Sequence, residues 1–123
     1  MARIFLAVVG IAYLLLAAWC ATWPEKTSKA VGFTLQPGQG QSEFFTVYGG
    51  LELALGIIFL WPLYRPEQTS FALFVCLVIH AGLVLFRTMA FVIYSGFPTT
   101  TYLLAAIEWV IFLAAGLLFW RHV

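Results

Sequence analysis

Four ionisable residues, Glu52, His80, Arg87 and Glu108, stand inside long apolar runs of this chain. Glutamate and histidine can hold, give and take protons, and an arginine can grip a carboxylate or another anion in a two-pronged contact. Each of these groups costs several kcal/mol in hydrocarbon unless it is paired or hydrated, so they are expected to face one another and to mark a working site. Two carboxylates then meet one arginine and one imidazole. Arg87 takes one carboxylate. The other must ionise beside a protonated His80 or keep its own proton, which lets the cluster bind one proton reversibly. The same four residues could instead lock helix register and do no chemistry. Glu52, His80 and Glu108 are also possible metal ligands, but Arg87 would repel a cation, so no metal and no cofactor is expected.

Spacing supports a shared face. His80 and Arg87 lie seven residues apart, on one side of a helix, with Val84, Phe91 and Tyr94 on the same stripe. Glu52 shares a face with Tyr48, Gly49 and Gly56, where the glycines allow a close neighbour. Tyr48, one turn away, is placed either to hydrogen-bond Glu52 or to pack as an ordinary aromatic. Glu108 shares a face with Ala105, Phe112 and Ala115. The binding set read from the sequence is therefore Glu52, His80, Arg87, Glu108 and Tyr48.

The elements that must position these residues follow from composition. The 123 residues are 63% hydrophobic and only 9% charged, against ~25% charged in ordinary soluble domains. So few charges cannot cover a soluble globule of this size, whereas lipid solvates apolar side chains directly. Crossing ~30 Å of hydrocarbon takes ~20 helical residues. Four runs qualify: Ile4–Trp23, Phe44–Leu63, Ser70–Tyr94 and Tyr102–Trp120. Helices are required because backbone groups in lipid must bond within their own segment. The expected fold is all-α: one integral-membrane four-helix bundle over residues 1–123 with antiparallel neighbours. Trp19, Trp23, Trp61, Tyr64, Tyr94, Tyr102 and Trp120 fall near span ends, as interfacial rings do, while Trp109 does not.

The second and third loops, Tyr64–Thr69 and Ser95–Thr101, are short and make hairpins. The first extramembrane loop, Pro24–Gln41, is long. Its alternation of Val31, Phe33 and Leu35 with polar or small residues is compatible with a short extended piece over the bundle mouth. Ser42 reads as the cap of the second span, with Glu43 favoured by the helix dipole. Arg3, Arg65 and Arg121 gather at one end and Lys26 and Lys29 at the other, which leans both termini toward the cytoplasm. On a ~1.5 Å rise per residue, Glu52 and Glu108 then lie about 12 and 10 Å beneath the opposite surface, with His80 near mid-membrane and Arg87 ~10 Å above it. The cluster thus occupies the outer half of the bundle. Arg3 followed by an apolar run is read as an uncleaved first helix, since bulky Trp19 sits where a leader's cleavage site needs a small residue. Cys20 and Cys76 differ in depth by roughly 15 Å, too far for a disulfide.

Tyr48-Gly49-Gly50-Leu51-Glu52-Leu53-Ala54-Leu55-Gly56, with Arg87 and Glu108, resembles a family of small bacterial inner-membrane proteins of unknown function with DoxX-like four-helix architecture. The resemblance covers most of the chain and implies a four-helix inner-membrane bundle. It carries no activity. More distant DoxX-like proteins are associated with membrane redox or quinone-linked complexes, or with membrane-protein assembly. The leading expectation is a binding protein for a small amphiphile, lipid or quinone-like ligand, its polar end at the Glu/His/Arg site. The alternatives are a structural or assembly subunit of a larger membrane complex, a proton-linked transporter component working as a homo-oligomer, and a membrane-embedded enzyme. No nucleotide loop, nucleophile motif or metal motif points to a reaction, and a net charge of +1 gives no reason to expect nucleic acid.

Overall fold

The computed structural model describes residues 1–122. Five helices account for nearly all of them: α1 (Ala2–Thr22), α2 (Pro24–Ala30), α3 (Gln39–Leu63), α4 (Pro66–Ile93) and α5 (Thr99–His122). Four of these, all except α2, are long and apolar enough to cross a membrane, and no strand occurs among the described residues. The protein is an all-α integral-membrane bundle. Its large apolar side chains point outward, among them Ile4, Val8, Leu15, Phe86, Val92 and Val110, as lipid contact requires. The aromatic residues at span ends are exposed as well, from Trp23 and Tyr64 to Tyr102 and Trp120.

The second span is longer and less regular than its apolar run. It begins at Gln39, not Phe44, because Gly38 adopts a left-handed φ of 77° and donates its N–H to Oε1 of Gln41 at 3.0 Å. That side chain caps the helix, so Ser42 lies in the first turn and is not the cap. Gln41 also donates Nε2 to Oε1 of Glu25 at 2.9 Å, which ties the start of α3 to α2. From Phe45 to Leu51 the helix widens to π geometry, returns to α over Glu52–Leu60, and tightens to a 3-10 turn at Trp61–Leu63. Gly49 and Gly50 fall within the wide stretch, where their low α preference weakens competition from the regular form.

The first loop begins with a helix, Pro24–Ala30, that the sequence reading did not place, while Val31, Phe33 and Leu35 lie beyond it in a turn and an irregular stretch with no strand. Pro24 suits the first helical position, and Glu25 and Lys29 complement the helix dipole at either end. Thr27 and Ser28 are buried, their hydroxyls donating to the carbonyls of Trp23 and Glu25 at 3.0 and 3.2 Å. The Phe33 N–H returns to the Ser28 carbonyl at 2.9 Å. This folds the chain back and sets the Phe33 ring against Phe44 and Tyr48.

The long helices form two hairpins. α1 packs along α3, and α4 along α5. α1 and α3 cross at Gly10 and Gly56: a Cβ on Gly56 would lie 3.1 Å from the Gly10 carbonyl oxygen and 2.5 Å from Leu14 Cδ2. Lipid gives helices no hydrophobic reason to associate, so such close backbone approach and the dispersion it allows carry the pairing. The two hairpins meet chiefly in the half that holds the chain termini. There Ala2, Leu6, Val9, Leu55, Phe59, Ala72, Leu73, Cys76 and Ala115 form one buried core. Toward the loop end each hairpin packs on itself. Ala17, Cys20, Phe44 and Gly49 are buried on one side, and Phe91, Phe97 and Tyr102 stack over the Gly96 turn on the other.

Candidate functional site

The seam between the hairpins carries the polar residues. Tyr13, midway along α1, points its hydroxyl at Nε2 of His80 on α4, 3.3 Å away. Nδ1 of His80 lies 2.8 Å from the Cys76 carbonyl oxygen, an atom that can only accept. Nδ1 therefore carries a hydrogen, and in the neutral ring Nε2 accepts the phenol hydrogen. His80 is 1% exposed, and both its nitrogens are satisfied without any carboxylate. Among the described residues this is the one side-chain hydrogen bond and the one ring contact joining the two hairpins.

Arg87 and Glu108 pair across α4 and α5. Nε donates to Oε2 at 2.5 Å and Nη2 to Oε1 at 2.7 Å, a two-pronged contact with side chains 28% and 12% exposed. The pairing of Arg87 with one carboxylate is the arrangement its chemistry favours, and the α4/α5 hairpin supplies the register. Nη1 makes no hydrogen bond among the described residues, so Arg87 retains donors.

Glu52 stands apart. Its Oε2 is buried and has no hydrogen-bond partner, and the carboxylate touches neither Arg87 nor His80 through a bond. Glu52 lies near the middle of α3. It sits one turn from the Gly10–Gly56 crossing, and Tyr13 sits three residues from it. On the helical rise both are about 5–6 Å beyond that crossing. Glu52, Tyr13 and His80 thus share one level at the centre of the fold, where the wide π stretch ends. Single π turns within α-helices are frequent at functional sites. Tyr48 makes no hydrogen bond to Glu52. Its ring stacks on Phe44 with centroids 4.5 Å apart and planes 17° apart, the packing role.

Above this level the side of α4 is hollow. A groove of about 500 Å³ is lined by Ile79, Gly82, Leu83, Phe86, Arg87 and Ala90. It begins beside His80 and climbs roughly 16 Å along the helix. Its walls are apolar apart from Arg87, and a Cβ added at Gly82 would meet nothing within 4 Å. No group of His, Cys, Asp and Glu suited to hold a metal occurs among the described residues, and Cys20 and Cys76 are both free and buried.

Of the five residues singled out from the sequence, the structure joins Arg87 to Glu108, joins His80 to a residue outside the set, and leaves Glu52 and Tyr48 unbonded. Tyr13 is the participant that lies outside the binding set read from the sequence. Its signal was a polar ring at the middle of an otherwise uncharged span, at the depth His80 requires.

Comparison with curated proteins and comparison with solved structures find no match. The profile of a family described as a domain of unknown function (DUF4345) matches residues 1–120. With nearly the whole chain matched, this four-span membrane protein belongs to the DUF4345 family.

Proposed function

We propose that this protein binds a small amphiphile, a lipid or a quinone-like molecule between its two hairpins. The observation that carries the reading is the groove on α4, of a volume that suits a small ligand and apolar but for one arginine. An apolar body lies along Ile79, Leu83, Phe86 and Ala90. The polar end turns to the seam, where Arg87 offers free N–H donors and Glu52 an unused acceptor. Glu108 neutralises Arg87 and holds the guanidinium at the groove edge. In this reading the protein is a bacterial inner-membrane protein related to the DoxX-like bundles, with both termini cytoplasmic.

Native mass spectrometry of the protein extracted with its lipids tests the reading. A bound amphiphile is expected, and Gly82→Trp, which fills open space, removes it without lowering the unfolding midpoint. Protein that carries no amphiphile, or that keeps it in Gly82→Trp, refutes the proposal.

One feature favours a second reading, a subunit of a larger complex or a homo-oligomer. α5 packs chiefly on α4, with Ala105 and Ala115 its buried residues, and it presents Leu103, Ile107, Val110 and Leu117 outward. Cross-linking from cysteines placed at Ile107 and Val110 in native membranes would yield a defined product if a protein partner covers this face, and none if lipid does.

A further inference from the structure

Within the spans, the ionisable groups at the seam do not cancel. Arg87 and Glu108 neutralise one another in a two-pronged pair. His80 has both nitrogens met by other groups, Nδ1 giving to the Cys76 carbonyl and Nε2, in the neutral ring, taking from Tyr13. Glu52 remains, with a shielded oxygen that nothing in the chain meets. When ionised it leaves this level of the fold one negative charge in excess. An uncompensated anion in a low-dielectric interior is costly, and a cation with hydrogens to give offsets that cost by charge and by hydrogen bonding together. An anionic ligand would find its one cation already engaged and an unpaired carboxylate nearby.

We infer that the ligand of this cleft is a lipophilic amine, whose protonated nitrogen donates to the Glu52 carboxylate while its apolar body occupies the groove between Ile79 and Ala90. The inference rests on the binding reading above and gives it a ligand class. Glu52 sits level with His80, and the groove begins at Ile79, the residue before it, so a chain anchored at Glu52 can rise along α4. Arg87, through its unused Nη1, then meets any oxygen the amine carries near its nitrogen, as an amino alcohol or an aminophospholipid headgroup would.

The test uses the full chain in phosphatidylcholine nanodiscs with decylammonium, decanol and decanoate as probes, followed by calorimetry, and sphingosine and phosphatidylethanolamine as further arms. Decylammonium is expected to bind at least tenfold more tightly than decanol, with decanoate weakest. Glu52→Gln removes the charge at nearly constant shape. It is expected to abolish that preference, while Glu43→Gln, at an exposed carboxylate, leaves it intact. Stronger binding of sphingosine than of phosphatidylethanolamine assigns the amine to a free amphiphile, and the reverse order assigns it to a membrane lipid. A quinone-type acceptor bound equally by wild type and Glu52→Gln, with no amine preference, overturns the amine assignment and leaves the groove reading standing if Gly82→Trp still blocks binding. Failure of every probe to bind, with Gly82→Trp indifferent, overturns both. An unchanged unfolding midpoint in Glu52→Gln shows that lost binding is not lost fold.

Discussion

The Tyr13 hydroxyl lies 3.3 Å from Nε2 of His80 across the seam and gives its hydrogen there in the neutral ring, while the Cys76 carbonyl takes the hydrogen from Nδ1 on the other side. One span thus fixes the tautomer of a histidine on another. Replacing Tyr13 with Phe keeps the ring and its edge contact with Phe59 but strips Nε2 of its donor. Leaving a buried acceptor unmet costs about 1–3 kcal/mol. Nitrogen NMR of labelled histidine should show a single Nδ1–H tautomer in wild type and exchange between tautomers in the variant. An unchanged spectrum would remove Tyr13 from the site.

Arg87 and Glu108 are expected to behave as a unit. Removing one partner of a buried pair leaves the other uncompensated, typically a loss of ~3–5 kcal/mol, whereas replacing both with apolar residues is far milder. In a double-mutant cycle with Arg87→Leu and Glu108→Leu, read by unfolding in mixed micelles, the double variant should be more stable than either single one. Additive losses would mean that the pair contributes no coupling.

Gly56 should tolerate nothing larger. A Cβ there meets Leu14 and the Gly10 carbonyl oxygen, so Gly56→Val must push α1 off α3, an overpacking cost of about 1–3 kcal/mol or more. Gly50, whose Cβ position is open, serves as the control. Gly50→Ala should leave the unfolding midpoint within experimental scatter while Gly56→Val lowers it. Equal behaviour would place the helix crossing elsewhere.

Arg3, Arg65 and Arg121 lie at the terminal end of the bundle and Lys26 and Lys29 beyond the other. A fluorescent protein fused after Val123 should therefore fold and fluoresce in the cytoplasm, and a phosphatase fused there should stay inactive. Active phosphatase would reverse the orientation.

The spans were legible because a missing charge is a robust signal: four apolar runs of about twenty residues admit few arrangements in lipid. The Arg87–Glu108 pair was half legible, since the short loop after Tyr94 makes α4 and α5 neighbours, yet Glu52 had the same charge and an equal claim on the arginine. What decided between them was the Gly10–Gly56 crossing, which holds α3 against α1 and turns Glu52 to its own level. That crossing depends on side-chain fit between helices, which spacing along one helix does not encode. Gln41 as a cap was obscured by Pro37-Gly38-Gln39-Gly40, a run that reads as loop until Gly38 takes its left-handed turn. Helix α2 was hidden because its seven mostly polar residues from Pro24 carry no apolar periodicity.

The wide turn from Phe45 to Leu51 has a consequence for how this chain can change length. Loss of one residue from that stretch would let it relax into ordinary α geometry, because each π turn holds more residues than an α turn, and the helix on either side would keep nearly the faces it now presents. Phe44 would then stay beside Phe33 and the tie between Gln41 and Glu25 would hold, with the carboxylate and the glycine crossing below unmoved. A single-codon deletion there should leave the α2 cover seated on an intact four-span body, whereas one within Glu52–Leu60 would swing everything before it by about 100°, which makes the wide turn the place where inherited variation can shorten this span without disturbing the interior.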